Sequence, residues 1–330
     1  MKKGLFVLGV MLDFLIKESK VPDGLGFWGM AGRLSMVLLR WSEHAPVLNA
    51  ARSTNDAALL QAYLKVACRP TLPYLSTNFN APERLSLLQA HDRFVRTRIG
   101  TDLFARLVSR PIVLWSQEMD GSFCTISLAG PCPHREGGLS LVFAVNDVPL
   151  YKSAFSFVNS STLGFPPSML AAPNTPLIYV GQVQGFPGQY DAIRAVSKKC
   201  HDVTPADMLM AALLGLAAAF DVSFLAAVKS ENCLSRERMQ QKAGSFDYAA
   251  FWQGHWGALE GPGHYLLPLP LQEKPLSEIK SNHRGRTLAK RGFKRDIAQQ
   301  AEAALRMQPI KPQTTKSTPG IVRRPRVAHG

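Results

Sequence analysis

The hydrophobic period of the chain changes at Pro111 from helical spacing toward a period of two, and this change constrains the fold more than any other feature. Before Pro111, apolar residues recur at helical spacing, and one helix is predicted to start at Asn80, with Pro82 and Glu83 in its first turn. After Pro111, short runs rich in β-branched and aromatic residues alternate with turn signals such as Asp120-Gly121. The pattern predicts an α+β fold in which a helical N-terminal region precedes an antiparallel β-meander with packed helices.

The meander is predicted to contain five strands, at residues 112–116, 123–129, 139–145, 150–158 and 177–183. Helices are predicted at 191–200 and 205–220, the second of which is apolar nearly all round and therefore expected to be buried. The run over 222–228, which is apolar apart from Ser223, predicts a strand in the middle of the sheet, where both faces are covered. A last strand is predicted at 265–269.

Two later segments have helical spacing. Aromatic residues at 248, 251, 252 and 256 share one helical face, which we assign to core packing. Apolar residues between 293 and 305 predict one amphipathic helix. Together these patterns divide the chain into a helical N-terminal region (1–110), a mixed α/β sheet domain (111–275), a basic C-terminal helix region (276–307) and a disordered basic tail (308–330).

The positive charge is concentrated at the end of the chain. The formal net charge is +14, and the segment from Lys280 to Gly330 holds thirteen Lys and Arg against Asp296 and Glu302, which leaves only +3 on the other 279 residues. Such a charge block is either a solvated extension or a segment that binds an anionic surface, such as nucleic acid, anionic lipid or an acidic partner.

The first residues resemble the start of a secretory signal, since Lys2 and Lys3 precede an apolar run. Asp13 interrupts that run and no small-x-small cleavage site follows, which favours an N-terminal helix that touches a membrane surface over export. No window has the apolar length of a transmembrane segment.

The 5 cysteines form no C-x-x-C pair, which argues against a thiolate zinc site and a disulfide framework. We expect a cytoplasmic protein, peripheral at the inner membrane, and no metal.

The segment 179–189 carries the most informative short pattern, a strand that leads into a glycine-bearing turn and then a helix. Such a junction is either an ordinary strand-to-helix turn or a place where free N–H groups receive a phosphate or pyrophosphate. The candidate cofactor-binding residues are Gly181, Gln182, Gln184, Gly185 and Gly188. The phosphate-loop and Rossmann glycine patterns are both absent.

The same segment resembles the Gln/Arg-x-x-Gly-x-Gly/Ala motif of the N-acetyltransferase superfamily, although Pro187 stands where the final small residue is usual. This resemblance implies acyl-coenzyme A as the cofactor and a related sheet order. The N–H groups from Gly181 to Gly185 would then stabilise negative charge on the acyl oxygen. Glu231 is the candidate base, or alternatively a solvated strand cap, and His91 is either a second candidate base or a core histidine.

Several segments together resemble the VirK/YbjX family of bacterial proteins. They are the helical segment 84–91 that ends in His91, the strand end 179–185, the segment 228–232, the motif Asp247-Tyr248-x-x-Phe251-Trp252, the segment 266–268 and the cations Arg284, Arg286, Lys290 and Arg291. Asp92 stands where the family has Tyr. The resemblance implies a stress- or virulence-associated protein of Gram-negative bacteria that contributes to antimicrobial peptide resistance and envelope homeostasis.

Two functional hypotheses follow from these patterns. The first is a cytoplasmic acyltransferase-like protein that modifies an envelope component or its precursor. The second is a non-enzymatic regulatory or adaptor protein whose basic tail binds nucleic acid, anionic lipid or an acidic partner.

Overall fold

A computed structural model describes most of the chain between residues 2 and 308. The described residues are 2–19, 26–39, 57, 60–61, 64, 73–100, 103–104, 106–107, 110–130, 135–165, 175–235, 247–261 and 263–308. The predicted basic tail lies outside them, apart from Gln308.

The centre of the protein is one eight-stranded sheet with the strand order β1-β2-β3-β4-β5-β6-β8-β7. Its strands are β1 (Ile112–Met119), β2 (Ser122–Ala129), β3 (Leu139–Val145), β4 (Val148–Asn159), β5 (Pro176–Gly185), β6 (Phe224–Val228), β7 (Leu259–Glu260) and β8 (His264–Pro268). Neighbouring strands are antiparallel except for β5 and β6, which are parallel. The predicted α+β class and the five-strand meander are confirmed.

Local turn chemistry explains why the meander is well predicted. Asp120 and Gly121 join β1 to β2 with φ values of 44° and 72°, and Asn146 and Asp147 join β3 to β4 with 48° and 63°. Two consecutive positive φ angles are typical of the two-residue hairpin turn whose twist matches that of the strands. Asp and Asn tolerate this conformation, so the turn residues fix where each strand ends.

Six α-helices are described. They are α1 (Lys2–Ser19), α2 (Gly26–Leu39), α3 (Ala81–Phe94), α4 (Tyr190–Lys199), α5 (Pro205–Ala219) and α6 (Ser281–Arg306). Helix α3 begins at a capping box in which the Asn80 side chain accepts from Glu83 N at 3.0 Å and the Glu83 carboxylate accepts from Asn80 N at 2.8 Å. Within the described residues, no helix is both long enough and apolar enough to cross a membrane.

Helix α5 is buried on nearly all sides because it lies between the sheet and α6. This position explains its apolar sequence, which has no polar face.

Helix α6 begins at Ser281, twelve residues before the predicted apolar stripe. Its first turns are largely exposed and carry polar and basic residues, so they have no hydrophobic period to detect. The aromatic segment forms a π-helical turn over Ala250–His255.

Candidate functional site

The parallel strands β5 and β6 stay paired over only three positions. These are Ile178 with Leu225, Tyr179 with Ala226 and Val180 with Ala227. Beyond them β5 continues to Gly185, whereas β6 ends at Val228 and the chain bends into a single helical turn at Ser230–Asn232. The carboxyl ends of the two strands therefore separate, and in sheets with parallel strands such a place is where ligands usually bind.

A β-bulge at Gly181 lies at the start of this separation. Ala154 of β4 pairs with Gln182 and Phe155 pairs with Val180, so Gly181 is the extra residue on β5. A Cβ on Gly181 would overlap the main-chain oxygen of Glu136. The position therefore requires glycine because another part of the backbone is packed directly against it.

The Tyr248 hydroxyl lies beside the part of β5 that extends past the end of β6, where β5 is still paired with β4. It accepts a hydrogen bond from Val183 N at 3.1 Å and donates to Val183 O at 3.4 Å. The side chain is fully buried, and burial together with the nearby Cys233 thiol raises the Tyr248 pKa well above its ordinary value. Tyr248 is therefore a protonated hydrogen-bond donor throughout the physiological pH range.

Gln182 is the centre of a buried polar cluster. Its Nε2 lies 2.7 Å from Gln184 Oε1 and 3.4 Å from both Glu136 Oε1 and Ser235 Oγ. Among the described residues no donor reaches Gln182 Oε1, although the side chain is 2% exposed. Because nearly all buried polar atoms have a partner, an acceptor of this kind is typical of a site that takes a ligand or water.

Cys233 connects this cluster to Tyr248. Its Sγ lies 3.2 Å from Ser235 Oγ and 3.7 Å from Tyr248 Oη, and its side chain is buried. Residues that are distant in sequence thus meet where β5 and β6 diverge. We call Glu136, Gln182, Ser235, Cys233 and Tyr248 the gap cluster.

The glycine-bearing turn lies just beyond the end of β5. Phe186 N donates to Leu150 O at 2.9 Å, and Gln189 N donates to Phe186 O at 3.4 Å, so these two amides already have partners. Gly188 is exposed and has a φ of 77°, which favours glycine. Helix α4 then begins without a side-chain cap.

His91 lies at the edge of β4, beyond the end of β3. Its Nδ1 accepts a hydrogen bond from Phe157 N at 3.3 Å, and its ring stacks on Phe157 with centroids 6.2 Å apart. Pairing between β3 and β4 stops at Leu139 and Phe155. The Phe157 amide therefore has no acceptor on β3 and donates its hydrogen bond to the His91 ring instead. The geometry is that of a core histidine with a structural partner.

Glu231 is exposed on the turn that follows β6. The turn itself is held in place by its neighbour Asn232, whose oxygen accepts from Thr77 N at 2.9 Å and whose Nδ2 donates to Gly263 O at 3.2 Å. Among the described residues, no group of three or more His, Cys, Asp or Glu side chains is placed to hold a metal ion.

Residues 34–293 match the family described as "Protein of unknown function (DUF535)". The chain belongs to this family. It is also 24% identical to "Uncharacterized protein YbjX" of Escherichia coli (strain K12) over 261 residues, which are 76% of this chain and 73% of that protein. The predicted kinship with the VirK/YbjX family is confirmed. No solved structure gives a significant match.

For this DUF535 chain, sequence reasoning identified one of the five residues of the gap cluster and missed the other four. Gln182 is among the predicted binding residues, whereas Tyr248 was assigned to core packing with its aromatic neighbours. Its place in the Asp247-Tyr248-x-x-Phe251-Trp252 motif was the available signal. Glu136 and Ser235 lie in segments without a distinctive pattern, and nothing in the sequence marks them.

Proposed function

We propose that this protein is an acyl-coenzyme A-dependent acyltransferase whose acyl donor binds between the diverging ends of β5 and β6. The observation that supports the proposal most is the hydrogen bonding of Val183, whose N–H and C=O are held by a tyrosine hydroxyl instead of a neighbouring strand. The strand order also supports it. A meander followed by one parallel pair, with helices between the two parallel strands, resembles the order in the N-acetyltransferase superfamily.

The structure of coenzyme A fits the site between the ends of β5 and β6. The pantetheine arm of coenzyme A is extended and contains two amides, so it can pair with an unpartnered strand edge as a β-strand does. The amides near the Gly181 bulge would supply matching N–H and C=O groups, and Val183 would add its own when the Tyr248 hydroxyl turns from Val183 to the bound donor. The pyrophosphate would then lie at the turn from Gly185 to Gly188, before the N-terminus of α4, where the helix dipole favours an anion. Gln184 would contact the arm between these points.

The reaction we propose is attack of an acceptor amine on the thioester carbonyl carbon. A C–N bond forms, the C–S bond breaks, the amine loses a proton to a base and the departing thiolate takes up a proton. Main-chain N–H groups beside Gly181 would stabilise the oxyanion of the tetrahedral intermediate. Tyr248 would donate a hydrogen bond that stabilises the departing thiolate, because burial raises the Tyr248 pKa and keeps the hydroxyl protonated. The proton that the thiolate takes up would come from the protonated base or from solvent.

Two carboxylates are candidates for the base. Glu231 is exposed beyond β6 and can exchange protons with solvent. Glu136 is buried next to the Gln182 amide, on the inner side of the gap cluster. The bond between Phe157 N and the His91 ring favours a structural role for His91. Comparing Glu231→Gln with Glu136→Gln identifies the base, since only its loss lowers turnover by about 10²-fold or more.

Calorimetric titration of the full chain with coenzyme A and acetyl-coenzyme A tests the proposal. We expect binding below millimolar concentration. Tyr248→Phe should retain donor binding but slow thiol release in the presence of an amine acceptor by about 10²-fold or more. Tyr74→Phe is the matched control, because it removes another buried hydroxyl, one bonded to Ser156 Oγ at 2.6 Å. Absence of donor binding by folded protein overturns the proposal.

We further propose that the acceptor is an envelope component or its precursor, in line with the stress and antimicrobial-peptide phenotypes that the VirK/YbjX resemblance implies. The adaptor hypothesis is the second candidate. The observation in its favour is the charge block that begins at Lys280. Polyanion binding without any binding of coenzyme A would favour the adaptor.

A further inference from the structure

Helices α1 and α2 form an N-terminal hairpin that exposes many large apolar side chains. Helix α1 buries one face in the core through Val10 and Phe14, yet Leu8, Leu12 and Ile16, spaced four residues apart, are also exposed. Solvent-facing helix positions in a soluble domain are normally polar. An apolar stripe at those positions therefore indicates an interaction surface.

Helix α2 continues this pattern. Trp28 is 83% exposed and Leu39 is 79% exposed, and Phe27 and Met36 are exposed as well. Phe27 and Trp28 pack edge to face with centroids 5.4 Å apart, so the two exposed rings form one aromatic pair. We call Leu8, Leu12, Ile16, Phe27, Trp28, Met36 and Leu39 the hairpin apolar face.

We infer that the hairpin apolar face docks this protein on the surface of an anionic phospholipid bilayer. The inference is independent of the proposed acyl transfer, because it uses no residue of the gap cluster. Trp and Phe beside exposed aliphatic residues are typical of segments that lie in the membrane interface. Helix α1 has 18 residues, and no described helix is able to cross a membrane, so it lies along the surface.

Charge favours a bilayer over a second copy of the chain as the binding partner of the hairpin apolar face. The apolar run of α1 follows Lys2 and Lys3, and residues 1–40 hold six Lys and Arg against three Asp and Glu, a net charge of +3, so an anionic surface attracts the hairpin whereas a second copy of the hairpin repels it. Asp13, which lies within the same helix, is paired with Lys17 Nζ at 2.8 Å and with Gln61 Nε2 at 2.6 Å. Its charge therefore does not oppose docking.

Sedimentation of the full chain with vesicles tests the inference. We expect binding to phosphatidylethanolamine vesicles containing phosphatidylglycerol, and weaker binding to pure phosphatidylcholine vesicles. The double variant Leu8→Gln/Leu12→Gln should lower the partition coefficient about 10- to 100-fold, because two exposed leucine side chains no longer transfer from water to the bilayer on docking. Both positions are exposed, so the melting temperature should change little.

Leu259→Gln is the matched control, since Leu259 is an exposed leucine on β7 outside the hairpin. It should bind vesicles like the wild type. Equal binding by the double variant and the wild type would mean that charge alone attracts the chain, which overturns the inference. The inference is also overturned if the wild type does not bind vesicles, or if the wild type is a dimer in solution and the double variant is a monomer.

Discussion

His264 and Tyr179 form a buried pair whose protonation states follow from their surroundings. Tyr179 Oη lies 2.8 Å from His264 Nδ1, and Phe79 stacks on the imidazole with centroids 4.9 Å apart. Burial raises the Tyr179 pKa, while burial and the nearby Lys229 ammonium lower the His264 pKa to about 4. Tyr179 therefore donates to a neutral imidazole, and the pair supports the sheet beside the gap cluster.

The His264 pair predicts a pH-dependent stability. The unfolded chain protonates this histidine near pH 6.5, whereas the folded protein does so only near its lowered pKa of about 4. Between these values the unfolded state binds more protons, so the free energy of unfolding falls as the pH falls, by on the order of 3 kcal/mol in total. Urea denaturation between pH 7 and pH 4 measures this contribution.

His264→Gln should be less stable at pH 7 and should lose less stability between pH 6.5 and 4 than the wild type. The matched control is His283→Gln, since His283 is exposed near the start of α6. Parallel pH profiles for wild type and His264→Gln would contradict the prediction.

At the scale of elements, the packing of α5 against α6 includes a close backbone contact at Gly215. A Cβ on Gly215 of α5 would overlap the main-chain oxygen of Ala298 on α6. Helix α5 in turn covers β3, β4 and β5, so the contact positions α6 over the central sheet. A glycine in a helix interior costs stability by itself, and here the close approach of the two helices compensates for that cost.

Gly215→Ala should therefore destabilise the protein by about 1–3 kcal/mol, because the two helices must move apart. Gly292→Ala in α6 is the control, since no atom lies within 4 Å of its added Cβ. It should leave stability unchanged or raise it by about 0.5–1 kcal/mol through helix propensity. Chemical denaturation of the two variants measures both effects. Similar losses in both would show that helix contact is not the cause.

At the scale of the whole molecule, the charge block and the gap cluster lie in different parts of the chain. The gap cluster is built from β5 and the segments around Glu136, Ser235 and Tyr248, whereas the charge block lies beyond Lys280. Several cations of α6 are already engaged within the protein, such as Arg286 with Asp202 at 2.7 Å and Lys294 over the Trp256 ring at 4.7 Å. These intramolecular contacts reduce the charge that α6 presents to a polyanion.

Removal of residues 309–330 tests what the tail contributes. The deletion removes five Lys and Arg, at positions 311, 316, 323, 324 and 326. Under the adaptor hypothesis, affinity for duplex DNA should fall, and the slope of log Kobs against log salt should decrease in magnitude by up to about 0.9 for each lost phosphate contact. Replacing the segment by a neutral Gly/Ser segment of equal length is the control for chain length and should behave like the deletion. An unchanged slope would contradict the prediction.

The sequence by itself determined the α+β class, the meander and the start of α3. Each depends on neighbours within a few residues: positive-φ turn residues such as Asn146-Asp147, the Asn80 and Glu83 capping box, and the period of the apolar side chains. Such local interactions do not depend on the rest of the fold, so the elements that they define can be predicted from the sequence.

Only the tertiary structure decided the gap cluster and the partner of His91. Tyr248 reaches Val183 across 65 residues, Gln182 meets Ser235 across 53, and His91 accepts from Phe157 across 66. These bonds exist because β5 and β6 separate after three pairs and because β3 ends before β4 does. Strand lengths and register set those endpoints, and a hydrogen bond between distant residues leaves no periodic trace in the sequence.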